Sequence, residues 1–389
     1  MSVRQPRRMT VGVELFAAGA GWTGGNVGPA VTQISRAFEV SLSAVGLLMT
    51  VFFAAIVVIT VFAPPLANHI GVGRTVVLAC VLLGLGDVVF AASPLFSGLL
   101  LSRVLVGLGA GFAFVVGPMV ARASGGLRLL GLFGGAVTLG IALALGIGGL
   151  LVDVGLNWRI GFVISALVGI SALPAFSGRV PAAAPSRRSS TGFLSAALRS
   201  SPLWRLMLLF IPANGITLVV STWLIHYLTE GGNGMGAWLA GLLGFVLFAV
   251  TTVMRPVGGR LAGSGFSATA LAGLSPLLAA AGLIGLAVER SFVAAILWIL
   301  LMGVGFALPY ATMIDEAQRL FPNNPAAALA FLQTGPNLAP MVIIPLVGVS
   351  LERGYSTAAF VLLGVFVALA GLANVRPATP PVDNTSESI

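Results

Sequence analysis

Three ionisable residues stand inside long apolar runs: Glu14, Asp87 and Arg103. A carboxylate surrounded by hydrocarbon can carry a proton or hold a cation. An arginine there costs at least about 2.5–3.5 kcal/mol on insertion scales, so it needs a partner. Asp87 and Arg103 each lie eight positions from Leu95, where two apolar runs turn back on each other. They therefore reach matching depth, and we expect an Asp87–Arg103 interaction, either a static pair or part of a proton relay. Glu14 lies near the end of its run, far from that depth. It either snorkels to the interface or carries protons.

Uncharged polar residues form a second set. Trp22 and Asn26 are one helical turn apart, and Asn214, Thr217 and Ser221 share one helical face with His226 near its end. Trp298 and Tyr310 follow, then Gln333 and Asn337 among Pro336, Pro340 and Pro345. Those prolines are expected to bend or break their helix, as discontinuous helices do near transport sites. Together the set suggests a weakly polar cavity for a small-molecule substrate, although each residue alone could serve helix–helix hydrogen bonding. Cys80, His69 and His226 are too few and too scattered for a metal site, and one cysteine forms no intrachain disulfide. All twenty basic residues are arginine, which excludes a lysine Schiff base. No glycine loop with Lys-Ser/Thr is present to bind nucleotide phosphate, and no intramembrane His/Asp/Ser cluster suggests an enzyme. No cofactor is expected.

The elements that must position these residues follow from composition. The chain is 58% hydrophobic and 8% charged, with a mean hydropathy of +1.05, whereas soluble domains carry roughly 25% charged residues. In a bilayer every backbone polar group must be satisfied internally, and apolar runs near 20 residues select helices over a barrel. Spans are expected at about 10–33, 42–66, 75–93, 96–120, 129–152, 160–178, 203–228, 236–256, 268–288, 292–313, 325–350 and 356–375. This predicts an all-α membrane protein: a bundle of six helices over 1–178, a polar linker at 179–202, a second bundle over 203–376 and a disordered tail at 377–389. Glu14 interrupts the first apolar run, so Arg7-Arg8 precedes a retained span rather than a cleaved signal peptide. Fifteen arginines fall at the end that would carry both termini, four (Arg36, Arg159, Arg290, Arg353) at the other, and Arg103 within a span. The positive-inside rule makes the arginine-rich end cytoplasmic, in the cell inner membrane. These charges orient helices and touch membrane lipids, not nucleic acid.

The two bundles carry an echo. Leu66-Ala67-Asn68-His69-Ile70-Gly71-Val72-Gly73-Arg74 lies between spans two and three, and Gly259-Arg260-Leu261-Ala262-Gly263 recurs 195 residues later in a chain of 389. A loop repeated at half the chain length points to a duplicated six-helix unit. Span four places Arg103, Gly107 and Gly111 on one face, and span five carries Gly131, Gly140, Gly148 and Gly149, with Gly131 and Gly149 on one face. Small-residue stripes of this kind let helices approach closely.

These residues resemble the major facilitator superfamily over nearly the whole chain. Leu66, Ala67, Gly71 and Arg74 fit the family's loop after span two, while Pro64, Asn68 and His69 replace its Gly, Asp and Arg. In the family that loop forms a cytoplasmic latch, and Asn68 lacks the charge to face a helix dipole. Arg255, Gly259 and Arg260 close span eight as in many relatives, and the resemblance assigns them to the latch. In some relatives that carry small anions an arginine on span eight reaches the cavity, for which Arg255 lies close to the membrane edge. Asn157-Trp158-Arg159 matches a common junction at the outer surface. Span five has the glycine spacing of the family's antiporter motif, with Ala144-Leu145 in place of Gly-Pro. The resemblance implies a secondary transporter working by alternating access with protons as the coupling ion, and a monomer is expected. Uptake is favoured by the missing proline, efflux of amphipathic compounds or metabolites is the alternative, and a non-transporting sensor ranks lower.

Overall fold

The computed structural model describes residues 4–178, 180, 193–230, 234–264, 268–289, 291–322 and 325–373. Its twelve spans begin with α1 (Arg4–Gly25), which continues through a 3-10 turn at Gly28–Ala30 into Val31–Phe38. Next come α2 (Leu42–Ile70) and α3 (Val72–Ala92). One helical run, Phe96–Asp153, is interrupted only at Gly125 and Gly126. It divides into α4 (Phe96–Gly126) and α5 (Arg128–Asp153), and α6 (Arg159–Phe176) completes the first half. The second half comprises α7 (Ser201–Glu230), α8 (Ala237–Gly263), α9 (Ala268–Val288), α10 (Phe292–Ala307, resuming as Tyr310–Leu320), α11 (Pro325–Glu352) and α12 (Ser356–Leu372). Ten of these helices are long and apolar enough to cross a membrane, and only the interrupted α1 and the 17-residue α12 fall short. Residues 179 and 181–192 of the expected linker and the whole expected tail, 377–389, lie outside the described residues. The linker's end forms a short helix, Phe193–Arg199.

Local chemistry accounts for the ends. Hydroxyls of Ser41, Ser200 and Ser291 accept from Ala44, Leu203 and Ala294 N–H at the starts of α2, α7 and α10. Each satisfies a donor that the first turn leaves unpaired. Between α2 and α3 the expected loop shrinks to Gly71, at φ +91°, a conformation that glycine adopts without a Cβ penalty.

Breaks occur at other prolines than expected. α11 is unbroken although Pro336, Pro340 and Pro345 lie inside it. A proline removes one N–H donor and crowds the carbonyl four residues back. Here neighbours hold the helix in shape: a Cβ on Gly215 would lie 3.2 Å from Pro336, and one on Gly46 would lie 3.0 Å from Pro345. Instead α7 contains a π turn, Ile211–Ile216, just at Pro212. The Thr217 hydroxyl donates to the carbonyls of Pro212 and Ala213 at 3.3 and 3.1 Å, so the loosened backbone keeps a partner. α10 breaks at Leu308-Pro309.

Two seams join the halves, α2 with α11 and α5 with α8. A two-fold axis that exchanges spans one to six with seven to twelve exchanges these seams, as a duplicated unit requires.

Candidate functional site

Along both seams the helices separate toward the arginine-rich end. A Cβ on Gly149 of α5 would stand 2.8 Å from the Gly241 backbone of α8, one on Gly146 3.2 Å from Phe245, and one on Gly135 3.8 Å from Thr252. On Gly134 and Gly131 it would meet nothing within 4 Å. Gly131 therefore does not pack here, because its face has left α8 by that depth. Among the described residues the deepest polar link along this seam is between the hydroxyls of Thr138 and Thr252, 2.7 Å apart. The α2–α11 seam behaves alike. Ser43 N–H donates to Glu352 (3.0 Å) and Thr50 to the Met341 carbonyl (2.7 Å), whereas Val61, three turns on along the Thr50 face, is 68% exposed.

The opposite end is closed by α1 against α7. A Cβ on Gly28 would lie 2.3 Å from the Ser221 carbonyl oxygen. Thr32 Oγ1 and His226 Nδ1 are hydrogen-bonded at 2.8 Å, and Arg36 pairs with Glu230 at 3.1 Å. These groups line a cavity of about 190 Å³. The molecule is thus a wedge-shaped gap between two bundles, closed at one end and open at the end rich in arginine.

Within the first bundle, Arg103 Nη2 donates to Asp87 Oδ1 at 3.0 Å with both side chains fully buried. Arg103 Nη1 donates to Asn26 Oδ1 (3.3 Å) and the Thr23 carbonyl (3.4 Å), and Ser165 donates to Asp87 Oδ2 at 2.5 Å. Asn26 Nδ2 donates in turn to Asp87 and Ser165, both at 3.3 Å. The Arg103 guanidinium lies 4.5 Å from the Phe90 ring centroid and 5.6 Å from that of Phe162. This network binds α1, α3, α4 and α6 into one unit. Asn26 belongs to it rather than to the gap, because its position on α1 points toward α3 and α6. Ser165 gave no signal in the sequence, where one serine in an apolar run looks like any other.

Glu14 is placed differently. It shares the α1 face of Gly21 and Gly28, turned toward α5 and the second half. It is half-buried and makes no hydrogen bond or ion pair among the described residues.

In the second bundle Arg255 meets two of the cavity candidates. Its Nη2 donates to Asn214 Oδ1 at 2.9 Å, and its guanidinium lies 4.0 Å from the Tyr310 ring centroid. Of the other latch residues, Leu66 and Ala67 pack into the first bundle, and Asn68, Arg74 and Arg260 are exposed without polar partners among the described residues. Gly259 faces Ala311 of its own half. Among the described residues none of these side chains makes a polar contact with the other half. Trp298 packs on Gly285 of α9 rather than on the gap, with its indole N–H unpaired, and Trp22 is buried with its N–H unpaired too. Ser221 bonds the Leu218 carbonyl and Asn337 the Gln333 carbonyl, each on its own helix. Gly107 and Gly111 pack on α2, Gly140 on the Ala18 carbonyl and Gly148 on Pro29.

Comparison with known proteins agrees with this architecture. The fold matches a D-xylose–proton symporter at TM-score 0.77 and 16% identity, over 94% of this chain and 96% of that one. It matches the inward-open xylose transporter XylE of E. coli at TM-score 0.78 and 15% identity, over 97% and 98%. A bacterial homologue of the human lysosomal transporter Spinster, inward-facing and occupied, gives TM-score 0.76 at 16% identity, over 95% and 96%. No curated protein matches. Residues 15–328 match the sequence pattern of the Major Facilitator Superfamily. This chain, an integral membrane transporter and not an enzyme, belongs to the major facilitator superfamily.

Proposed function

We propose that the chain takes up a small solute by alternating access, coupled to protons, with its arginine-rich end in the cytoplasm. The observation that carries this reading is the graded loss of contact along the α5–α8 seam: a Cβ would stand 2.8 Å from Gly241 at Gly149 and meet nothing within 4 Å at Gly134. Two rigid bundles that touch at one end and part at the other can rock about the middle, exposing one central site to each side in turn. The positive-inside rule sets the open end inward. The xylose–proton symporter is a relative in fold only, and its coupling motivates the proton assignment here. Proteoliposomes with an imposed pH gradient, screened against a solute panel, test the proposal: solute accumulation against its gradient is expected on the alkaline side. Expulsion would favour the second reading, efflux of amphipathic compounds, which the apolar gap face around Val61 supports.

Glu14 is our candidate proton site. It is the acid on the gap-facing side of the first bundle, whereas the Asp87 carboxylate is saturated by Arg103, Ser165 and Asn26. A carboxylate must be able to lose its partner to exchange a proton on each cycle, and Glu14 has none to lose among the described residues. Glu14→Gln is expected to abolish pH-driven accumulation at least tenfold while leaving solute exchange without a gradient near the wild-type rate. Unchanged accumulation in that variant would place the proton site elsewhere.

A further inference from the structure

The closed end carries one device twice. Asp153, the last residue of α5, accepts from the Trp238 N–H at 3.2 Å, and Trp238 is the second residue of α8. Glu352, the last residue of α11, accepts from the Ser43 N–H at 3.0 Å, and Ser43 is the second residue of α2. Each carboxylate therefore crosses from one half to the first turn of a helix in the other. Four residues before each acid stands a glycine, Gly149 and Gly348. A Cβ on Gly149 would lie 2.6 Å from the Ala237 carbonyl oxygen, and one on Gly348 3.0 Å from that of Leu42. Ala237 and Leu42 are the first residues of the facing helices. The glycines thus admit each facing helix closely enough for the acid one turn on to reach it.

The two contacts are equivalent under the duplication, since Ser43 and Trp238 lie 195 residues apart, the spacing of the loop echo. A helix start leaves N–H groups unpaired and carries partial positive charge, so a carboxylate there gains a hydrogen bond and a favourable field. At α8 the preceding residue is Gly236, which has no side chain to cap the helix, and Asp153 supplies the cap from the other half. At α2, Ser41 takes the Ala44 N–H and leaves that of Ser43 to Glu352. The loops at the arginine-rich end have no such group: neither 64–74 nor 259–265 includes an acid.

We infer that Asp153 and Glu352 are twin latches, positioning residues that hold the end near Gly28 shut and bias the transporter toward the state open at the arginine-rich end. The inference rests on the alternating-access reading and names groups that set its balance. When the halves part at the closed end, both carboxylates return to water and both helix starts lose a cap. No acid in the loops of the opposite end offsets that loss. Both acids are exposed, so each latch contributes a modest bias that the other half of the cycle can overcome.

Two thiols, each alone in a Cys80→Ser background of the purified full-length protein, read the balance. Thr32→Cys reports the closed end, and Gly135→Cys the mouth of the gap, where its Cβ would lie 3.8 Å from Thr252 of the other half. Labelling by a maleimide in detergent should become faster at Thr32→Cys and slower at Gly135→Cys when a latch is neutralised. Asp153→Asn or Glu352→Gln should raise the ratio of the two rates about two- to fivefold, the range for one charge at an exposed helix start. The double variant should raise it roughly 3- to 25-fold, because the two contacts are separate and their effects multiply. Ser41→Ala is the control: it removes a cap at the same start of α2 without crossing between halves, so it should lower the unfolding temperature and leave the ratio unchanged. An unchanged ratio in the double variant, both rates rising together, or an equal shift in Ser41→Ala would overturn the inference. Gly28→Val separates the two levels. If it moves the ratio and the double variant does not, the latches are refuted and alternating access stands; if neither moves it, both fall.

Discussion

Arg103→Ala is expected to cost about 3–5 kcal/mol of stability, the range found when one member of a buried ion pair is removed. The Asp87 carboxylate would remain fully buried, facing Phe90 and Phe162 where the guanidinium had been. Ser165 and Asn26 would still donate to it, but two neutral hydrogen bonds do not replace a charge at 3.0 Å. Domains are stable by only about 5–15 kcal/mol, so much of the variant should be lost before it reaches detergent. Asp87→Asn leaves the opposite charge uncompensated and should also destabilise. The double variant Asp87→Asn/Arg103→Gln removes both charges and should recover most of the loss. Thermal unfolding of the four proteins in detergent reads this directly. Wild-type yield and unfolding temperature in Arg103→Ala would refute the buried pair as a brace for the first bundle.

Gly28→Val is expected to act on conformation instead. Its Cβ would lie 2.3 Å from a backbone oxygen of Ser221 on the other half, and a backbone atom cannot rotate away as a side chain does. Overpacking of this kind costs typically about 1–3 kcal/mol, and here the cost falls on the state in which this end is closed. A bias of that size shifts a two-state population by roughly 5–150-fold. The closed end should open, transport should fall in proportion, and a thiol placed at Thr32 in a Cys80→Ser background should react faster with an impermeant reagent. Removing the nearby Arg36–Glu230 pair should do much less, since both side chains are exposed, 74% and 45%, and such pairs are worth about 0.2–1 kcal/mol. Unchanged labelling in Gly28→Val would mean that this contact does not limit the closed state.

What the sequence revealed follows from how each signal arises. Apolar run length is set by the bilayer, so the spans and the two-fold repeat were legible. Helix interruptions were not, because a proline breaks a helix only where neighbours allow it. Pro212 sits at a π turn that Thr217 repairs, while Pro336 and Pro345 of α11 are packed on facing glycines, Gly215 and Gly46. Asp87 and Arg103 could be paired by depth alone, since a hairpin fixes relative height. Asn26 could not be assigned, since depth does not say which way a helix is rotated, and rotation turns it into the bundle. Arg255 is a matter of reach: its backbone is near the membrane edge, yet the long side chain extends to Asn214 and Tyr310. Gly131 was misjudged because a small-residue stripe shows where helices can touch in some state, not where they touch in this one.

Alternating access requires the end near Gly28 to open and close. Bridging Thr32→Cys on α1 to His226→Cys on α7, residues that are hydrogen-bonded at 2.8 Å, would hold that end shut. A short bis-thiosulfonate, in a Cys80→Ser background, would tie the two halves together in proteoliposomes. The expected result is that solute flux stops on cross-linking and returns on reduction with dithiothreitol. Full flux through the cross-linked protein would contradict alternating access between the two bundles.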